Sequence, residues 1–127
     1  MNTNETQIIH KELSYRIVGL AMEVHTKLGR GFLEKVYENA LMKLLNRDNI
    51  PAIQQAPIRV SFEGNTVGEF FADILVDSKI ILELKVAEAI GSAHKAQMIN
   101  YLRGTGIRLG IILNFGRRSL EYARVIL

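Results

Sequence analysis

The hydrophobic pattern changes its period near Ala52, and no other feature constrains the fold as much. Before that point Leu13, Ile17, Leu20, Ala21, Val24 and Leu28 recur at the three-and-four spacing of an amphipathic helix, which should stop at Gly29. A second helix is predicted after Gly31, with Leu33, Val36, Tyr37, Ala40, Leu41, Leu44 and Leu45 on its buried side. It should end between Asn46 and Asn49, ahead of Pro51. From Ala52 to Val86 the chain alternates or runs apolar between turn signals at Glu63-Gly64-Asn65 and Asp77-Ser78-Lys79, which reads as three antiparallel strands. Ser92 is the expected N-cap of a third helix, on which Met98, Ile99 and Leu102 share a face and which should stop at Gly104. "IRLGIILNF" and "SLEYARVIL" then read as two strands joined through Gly116-Arg117-Arg118. The order is ααβββαββ, an α/β (α+β) class with helices packed on one sheet, in a single domain over residues 1–127.

A composition of 48% hydrophobic and 23% charged residues in 127 positions suits one globular domain. With no cysteine, disulfides, thiolate metal sites and cysteine nucleophiles are excluded, so any metal must be held by oxygen or imidazole. No apolar stretch is long enough to cross a membrane, and "MNTNETQIIHKE" lacks the basic start and apolar core of a secretory signal; a cytoplasmic protein without a membrane segment is expected. A net charge of +3 permits a nucleic-acid partner without requiring one. The basic residues form only modest groups, at Lys43 and Arg47, Arg103 and Arg108, and Arg117 and Arg118. No aromatic platform for stacking single-stranded bases is visible along the chain.

"FFADILVDSKIILELKV" contains a misfit: Asp73, Glu83 and Lys85 sit inside apolar runs rather than at their ends. Side chains alternate across a strand, so Ile81, Glu83 and Lys85 share one face while Ile80, Leu82, Leu84 and Val86 share the other. Asp73 shares its face with Phe71 and Leu75. A two-residue turn would set Asp73 opposite Leu82, on the wrong side. A three-residue loop, Asp77 to Lys79, sets Asp73 opposite Glu83 and Phe71 opposite Lys85, and that odd-length loop or an equivalent bulge is predicted.

Two half-buried carboxylates in such a register repel each other, so that one takes up a proton or the pair recruits a cation, and a hard divalent ion resolves the repulsion. Mg²⁺ favours one or two carboxylates together with waters and phosphate oxygens. Lys85 beside it could orient or deprotonate a water or steady a phosphate charge. As an ordinary exposed pair, Glu83 and Lys85 would contribute under ~1 kcal/mol. Glu34 stands in the first turn of the second helix, where complementing the helix dipole is its commonplace role. Gln97 and Tyr101 lie four apart on one helix face with His94 a turn earlier, and His94 reads as a supporting polar residue.

Together these residues carry a resemblance. An acid on a helix, an aspartate on one strand, ExK on the next and a helix bearing QxxxY resemble the PD-(D/E)XK nuclease superfamily, nearest its RecB-like branch. "GFLEKVY" resembles the signature of its GxxExxY proteins, and "HKAQMINYL" and "LGIILNFG" resemble later blocks, so that the likeness runs from about Ile9 to Ile126. The resemblance implies a restriction-endonuclease-like central mixed sheet flanked by helices and a Mg²⁺ or Mn²⁺ site that cuts phosphodiesters. It makes Glu34, Asp73 and Glu83 metal-binding acids, with the main-chain carbonyl of Leu84 an added ligand. Lys85 becomes the catalytic lysine, Gln97 its support, and Tyr101 completes the motif. Arg30 replaces a frequent proline in the hairpin loop, and Ala72-Asp73 stands for the family's "PD". Nucleic acid is the implied partner, DNA before RNA, with a leaning toward a homodimer. A non-catalytic nucleic-acid-binding or adaptor module of the same fold is the alternative; hydrolysis of a small phosphorylated substrate is a third reading.

Overall fold

A computed structural model of the chain describes residues 8–127 and carries the expected order of elements. The first two are α1 (Lys11–Leu28) and α2 (Glu34–Arg47). The strands β1 (Ala52–Phe62), β2 (Asn65–Val76) and β3 (Ile80–Lys85) follow, then α3 (Ser92–Thr105), β4 (Leu109–Asn114) and β5 (Glu121–Ile126). α1 ends at Gly29, whose φ of 73° lies in the region that favours glycine. α3 runs past the expected stop. Its left-handed cap is Gly106, at φ 76°, while Gly104 lies under β1, where a Cβ would stand 3.4 Å from a methyl of Val60. Gly91 rather than Ser92 is the N-cap, and its N–H donates to His94 Nδ1 at 3.1 Å. The expected buried side of α2 is corrected at its start: Leu33 is 80% and Val36 38% exposed. Leu33 precedes the helix in extended conformation, so helical spacing does not govern it, and the buried stripe is Tyr37, Glu38, Leu41 and Leu45.

The sheet order is β1-β2-β3-β4-β5, antiparallel except for the parallel β3–β4 pair that α3 connects. β3 and β4 are covered on both faces, which explains their near-continuous apolar runs. α1 and α2 pack over Ile74, Val76, Ile80, Leu82, Leu84, Ile111 and Leu113. α3 packs over Ala72, Ile81, Ile112 and Val125 through Met98 and Leu102. Each Ile or Leu so buried contributes ~1.5–3 kcal/mol. Among the described residues no helix is long and apolar enough to cross a membrane.

The β2–β3 loop has the expected odd length. Val76 pairs with Ile80, Leu75 with Ile81 and Ile74 with Leu82, around Asp77 (φ 50°) and Ser78 (φ 55°), and Lys79 N–H donates to the Val76 carbonyl at 2.9 Å. There the ladder stops. β2 stays with β1, setting Phe71 against Pro57, so neither the expected Asp73–Glu83 pair nor the Phe71–Lys85 pair is made in the ladder. The β1–β2 hairpin also changes sides. Gln54 reaches Glu38 and Asn39 of α2, whereas Ala56 and Ile58 join the α3 side; between them Gln55 is left-handed, at φ 53°. On β2 Ile74 packs on the α1–α2 side and Ala72 on the α3 side, which simple alternation forbids. Asp73 stands at this switch.

Candidate active site

Side chains take over where the β2–β3 ladder ends. Glu83 Oε2 accepts the Asp73 N–H at 2.8 Å, and Asp73 Oδ2 accepts the Leu84 N–H at 2.8 Å. The two acids are therefore lodged against each other's strands. The Leu84 carbonyl leaves the strand on the same edge as its N–H, toward β2. Glu83 is only 7% exposed. Burial, and then the neighbouring Asp73, push its carboxyl up to about 7, against the pull of the Asp73 N–H and of Lys85. Asp73 is raised as well, first by burial, with Glu38 and Glu34 adding to it and the Leu84 N–H and Lys85 opposing. Lys85 is half-buried and, among the described residues, makes no ion pair.

α2 brings its acids to this point through Tyr37. That buried phenol donates to the Gly29 carbonyl at 2.6 Å and accepts the Phe32 N–H at 3.3 Å, while its ring stacks on Phe115 at 4.5 Å. The start of α2 is thus tied to the end of β4. Glu34, its first residue, accepts the Val86 N–H on Oε2 at 3.2 Å, just beyond the strand that carries Glu83 and Lys85. One turn later comes Glu38, 3% exposed, which sequence reasoning missed. It accepts from Lys35 Nζ at 3.0 Å, from Gln55 Nε2 at 3.1 Å and from Gln54 Nε2, and its charge acts on Asp73 more strongly than that of Glu34. The available signal was its place four residues after Glu34, on the same helix face, together with the polar Gln54-Gln55 pair inside a strand.

α3 supplies the opposite wall. Tyr101 is half-buried, and its phenol is raised by burial and then by Glu83 and Asp73, which sets it beside the acids. Gln97 lies exposed one turn earlier and makes no hydrogen bond among the described residues. His94 caps α3, a supporting role. Of the basic residues, Arg103 lines an open groove of about 500 Å³ with Arg59, Ser61 and Asn100. Arg118 lines a separate pocket of about 490 Å³ with Met22 and His25, which includes none of the site carboxylates.

Among the described residues no three His, Cys, Asp or Glu side chains stand together as a ready metal-ligand group. The expected cage of Glu34, Asp73 and Glu83 is not among such groups, and each of the three acids places one carboxylate oxygen on a backbone N–H. The donor chemistry still fits a hard cation. Asp73 and Glu83 each keep one oxygen without a protein hydrogen bond, and the charge of each is opposed by burial and by neighbouring acids, Asp73 for Glu83, and Glu38 and Glu34 for Asp73.

No curated protein matches the chain. Among solved structures, the crystal structure of SSO0001 aligns with a TM-score of 0.57 and 17% identity, a likeness of fold that covers 72% of this chain and 48% of that one. The chain thus spans about half the length of SSO0001. An alkaline exonuclease from Laribacter hongkongensis aligns at a TM-score of 0.43 and 12% identity, over 87% of this chain and 69% of that one. The five-stranded mixed sheet flanked by helices matches the restriction-endonuclease-like fold. The family model of the PD-(D/E)XK nuclease superfamily matches residues 11–125, nearly the whole chain, and the chain belongs to that superfamily.

Proposed function

We propose that the protein is a metal-dependent nuclease that hydrolyses phosphodiester bonds, in DNA before RNA. One observation carries this reading: Asp73 and Glu83 are bonded to each other's strand at the point where β2 and β3 part, with Lys85 following Glu83 on the same strand. Asp73, Glu83, Glu34 and the Leu84 carbonyl would hold Mg²⁺ or Mn²⁺. A hard dication bound there supplies charge neutralisation and Lewis acidity. Lys85 orients or deprotonates the attacking water, Gln97 supports its amine, and the Tyr101 phenol hydrogen-bonds a phosphate oxygen. Water adds to phosphorus, one P–O ester bond breaks, and the leaving oxygen takes up a proton. The "GFLEKVY" segment supports a place among the GxxExxY proteins of the RecB-like branch. A homodimer, one site per strand, completes the reading and is checked by light scattering.

The second reading, a binding or adaptor module of the same fold, is favoured by the acids' existing bonds to backbone N–H groups. Against it, Glu34, Glu38, Asp73 and Glu83 would repel the phosphates such a module must hold. The test is cleavage of linear, branched and single-stranded DNA and of RNA in Mg²⁺, Mn²⁺ or EDTA. Lys85→Ala and Asp73→Asn should each lower the rate by about 10²–10⁴-fold. Wild-type activity in both variants ends the proposal; tight binding without cutting establishes the module instead.

A further inference from the structure

Phe70 and Tyr101 are 31 positions apart in the sequence, yet their rings lie 5.9 Å apart, tilted by 40°. A platform that is invisible along the chain is thus assembled by the fold. A single exposed phenylalanine is ordinary; Phe70, 48% exposed, is set apart by where it stands. It pairs with Ile58, which is buried on the α3 side, so its ring is turned toward α3 and Tyr101. On β2 it precedes Asp73 by three residues, a rise of ~10 Å, and Tyr101 on the facing helix is close enough for Glu83 and Asp73 to act on its phenol. One step further from Asp73 along the hairpin, Arg59 pairs with Glu69 across the strands and borders the groove it shares with Arg103. Arg103 has no ion pair among the described residues. Acids and paired rings therefore succeed one another along the β1–β2 hairpin, with Arg103 of the facing helix beyond them.

We propose that Phe70 and Tyr101 form a stacking shelf for unpaired nucleobases, so that the strand reaching Asp73 and Glu83 is single-stranded or frayed rather than an intact duplex. The identity of the polymer rests on the nuclease reading above. A base inside a duplex has both faces covered by its neighbours, whereas an unpaired base offers a face to a ring. Such stacking tolerates any sequence, and a flanking cationic groove tracks the phosphates. The distance from Phe70 to Asp73 corresponds to a few nucleotides.

The experiment is fluorescence anisotropy on the full chain carrying Lys85→Ala, in Mg²⁺. It uses a single-stranded DNA of about 12 nucleotides and a blunt duplex of the same sequence. Phe70→Ala and Phe70→Leu should weaken the single strand by about 5- to 100-fold and leave the duplex within about twofold, while Phe70→Tyr restores wild-type binding. Thermal melts confirm that the variants fold. An abasic position scanned along the single strand should reproduce the loss at one site, and combining it with Phe70→Ala should add nothing further. Unchanged single-strand binding in Phe70→Ala, or equal loss on the duplex, overturns the shelf. If wild type cuts single strand and duplex alike and Phe70→Ala binds normally, the shelf falls and the nuclease reading stands. If the chain cuts nothing yet Phe70→Ala selectively loses the single strand, the shelf stands and the nuclease reading falls.

Discussion

At the scale of single residues, Glu83 shows why an acid here is held at a cost to the fold. Its carboxyl titrates near 4.5 when unfolded and about 7 when folded, so between those values the native state binds more protons than the unfolded one. Stability is therefore fully present below the lower value and is lost as pH rises through the upper one. In chelator-treated protein the unfolding free energy should fall by on the order of 2–3 kcal/mol across that window. Asp73, also raised, adds a change of the same sign. Glu83→Gln should flatten the decline, as read by urea titration at each pH, and an equal decline in the variant would refute this account. Above the window, Mn²⁺ or Mg²⁺ should raise the melting temperature of wild type but not of Asp73→Asn, since ligand that binds only the native state stabilises it.

At the scale of elements, the β2–β3 turn places the acids. An odd loop brings Asp73 and Glu83 to the point where β2 and β3 part, each within reach of the other's strand, and it is achieved with two consecutive left-handed residues, Asp77 and Ser78. A non-glycine residue in that region is strained. Ser78 is exposed, so nothing but backbone conformation is at stake. Ser78→Gly should therefore raise stability by about 0.5–1 kcal/mol and leave cleavage unchanged, as measured by denaturant midpoint and turnover; a loss of stability would show that the turn is not strained. α2 works by a different device. The Tyr37 hydroxyl, bonded to Gly29 and Phe32, orients the helix start and with it Glu34 and Glu38.

At the scale of the whole molecule, one buried amide ties the site's two walls together. Asn114, at the end of β4, accepts from the Ala87 and Gly116 N–H groups and donates to the Ala87 carbonyl and to Glu121, each at 3.0 Å. Glu121 in turn accepts the Ile90 N–H at 3.0 Å, so the segment from Lys85 to α3 is pinned at both ends. Asn114→Ala leaves several buried groups without partners and should cost about 2–4 kcal/mol. It should also depress cleavage, because Val86 and α3 are no longer held relative to Glu34; a stability loss below about 0.5 kcal/mol in thermal unfolding would contradict the pinning. The order of elements, the loop parity and the grouping of Asp73 with Glu83 and Lys85 were all legible in the amino-acid string. Periodicity is a local property, and it states which side of its own element a residue occupies. The early end of the β2–β3 ladder, the side change at Gln55 and Asp73, the reach of Glu38 and the meeting of Phe70 with Tyr101 were decided by tertiary structure alone. They depend on which distant element packs opposite and on how a long hairpin twists to cover two helices on opposite faces, and no local spacing encodes that.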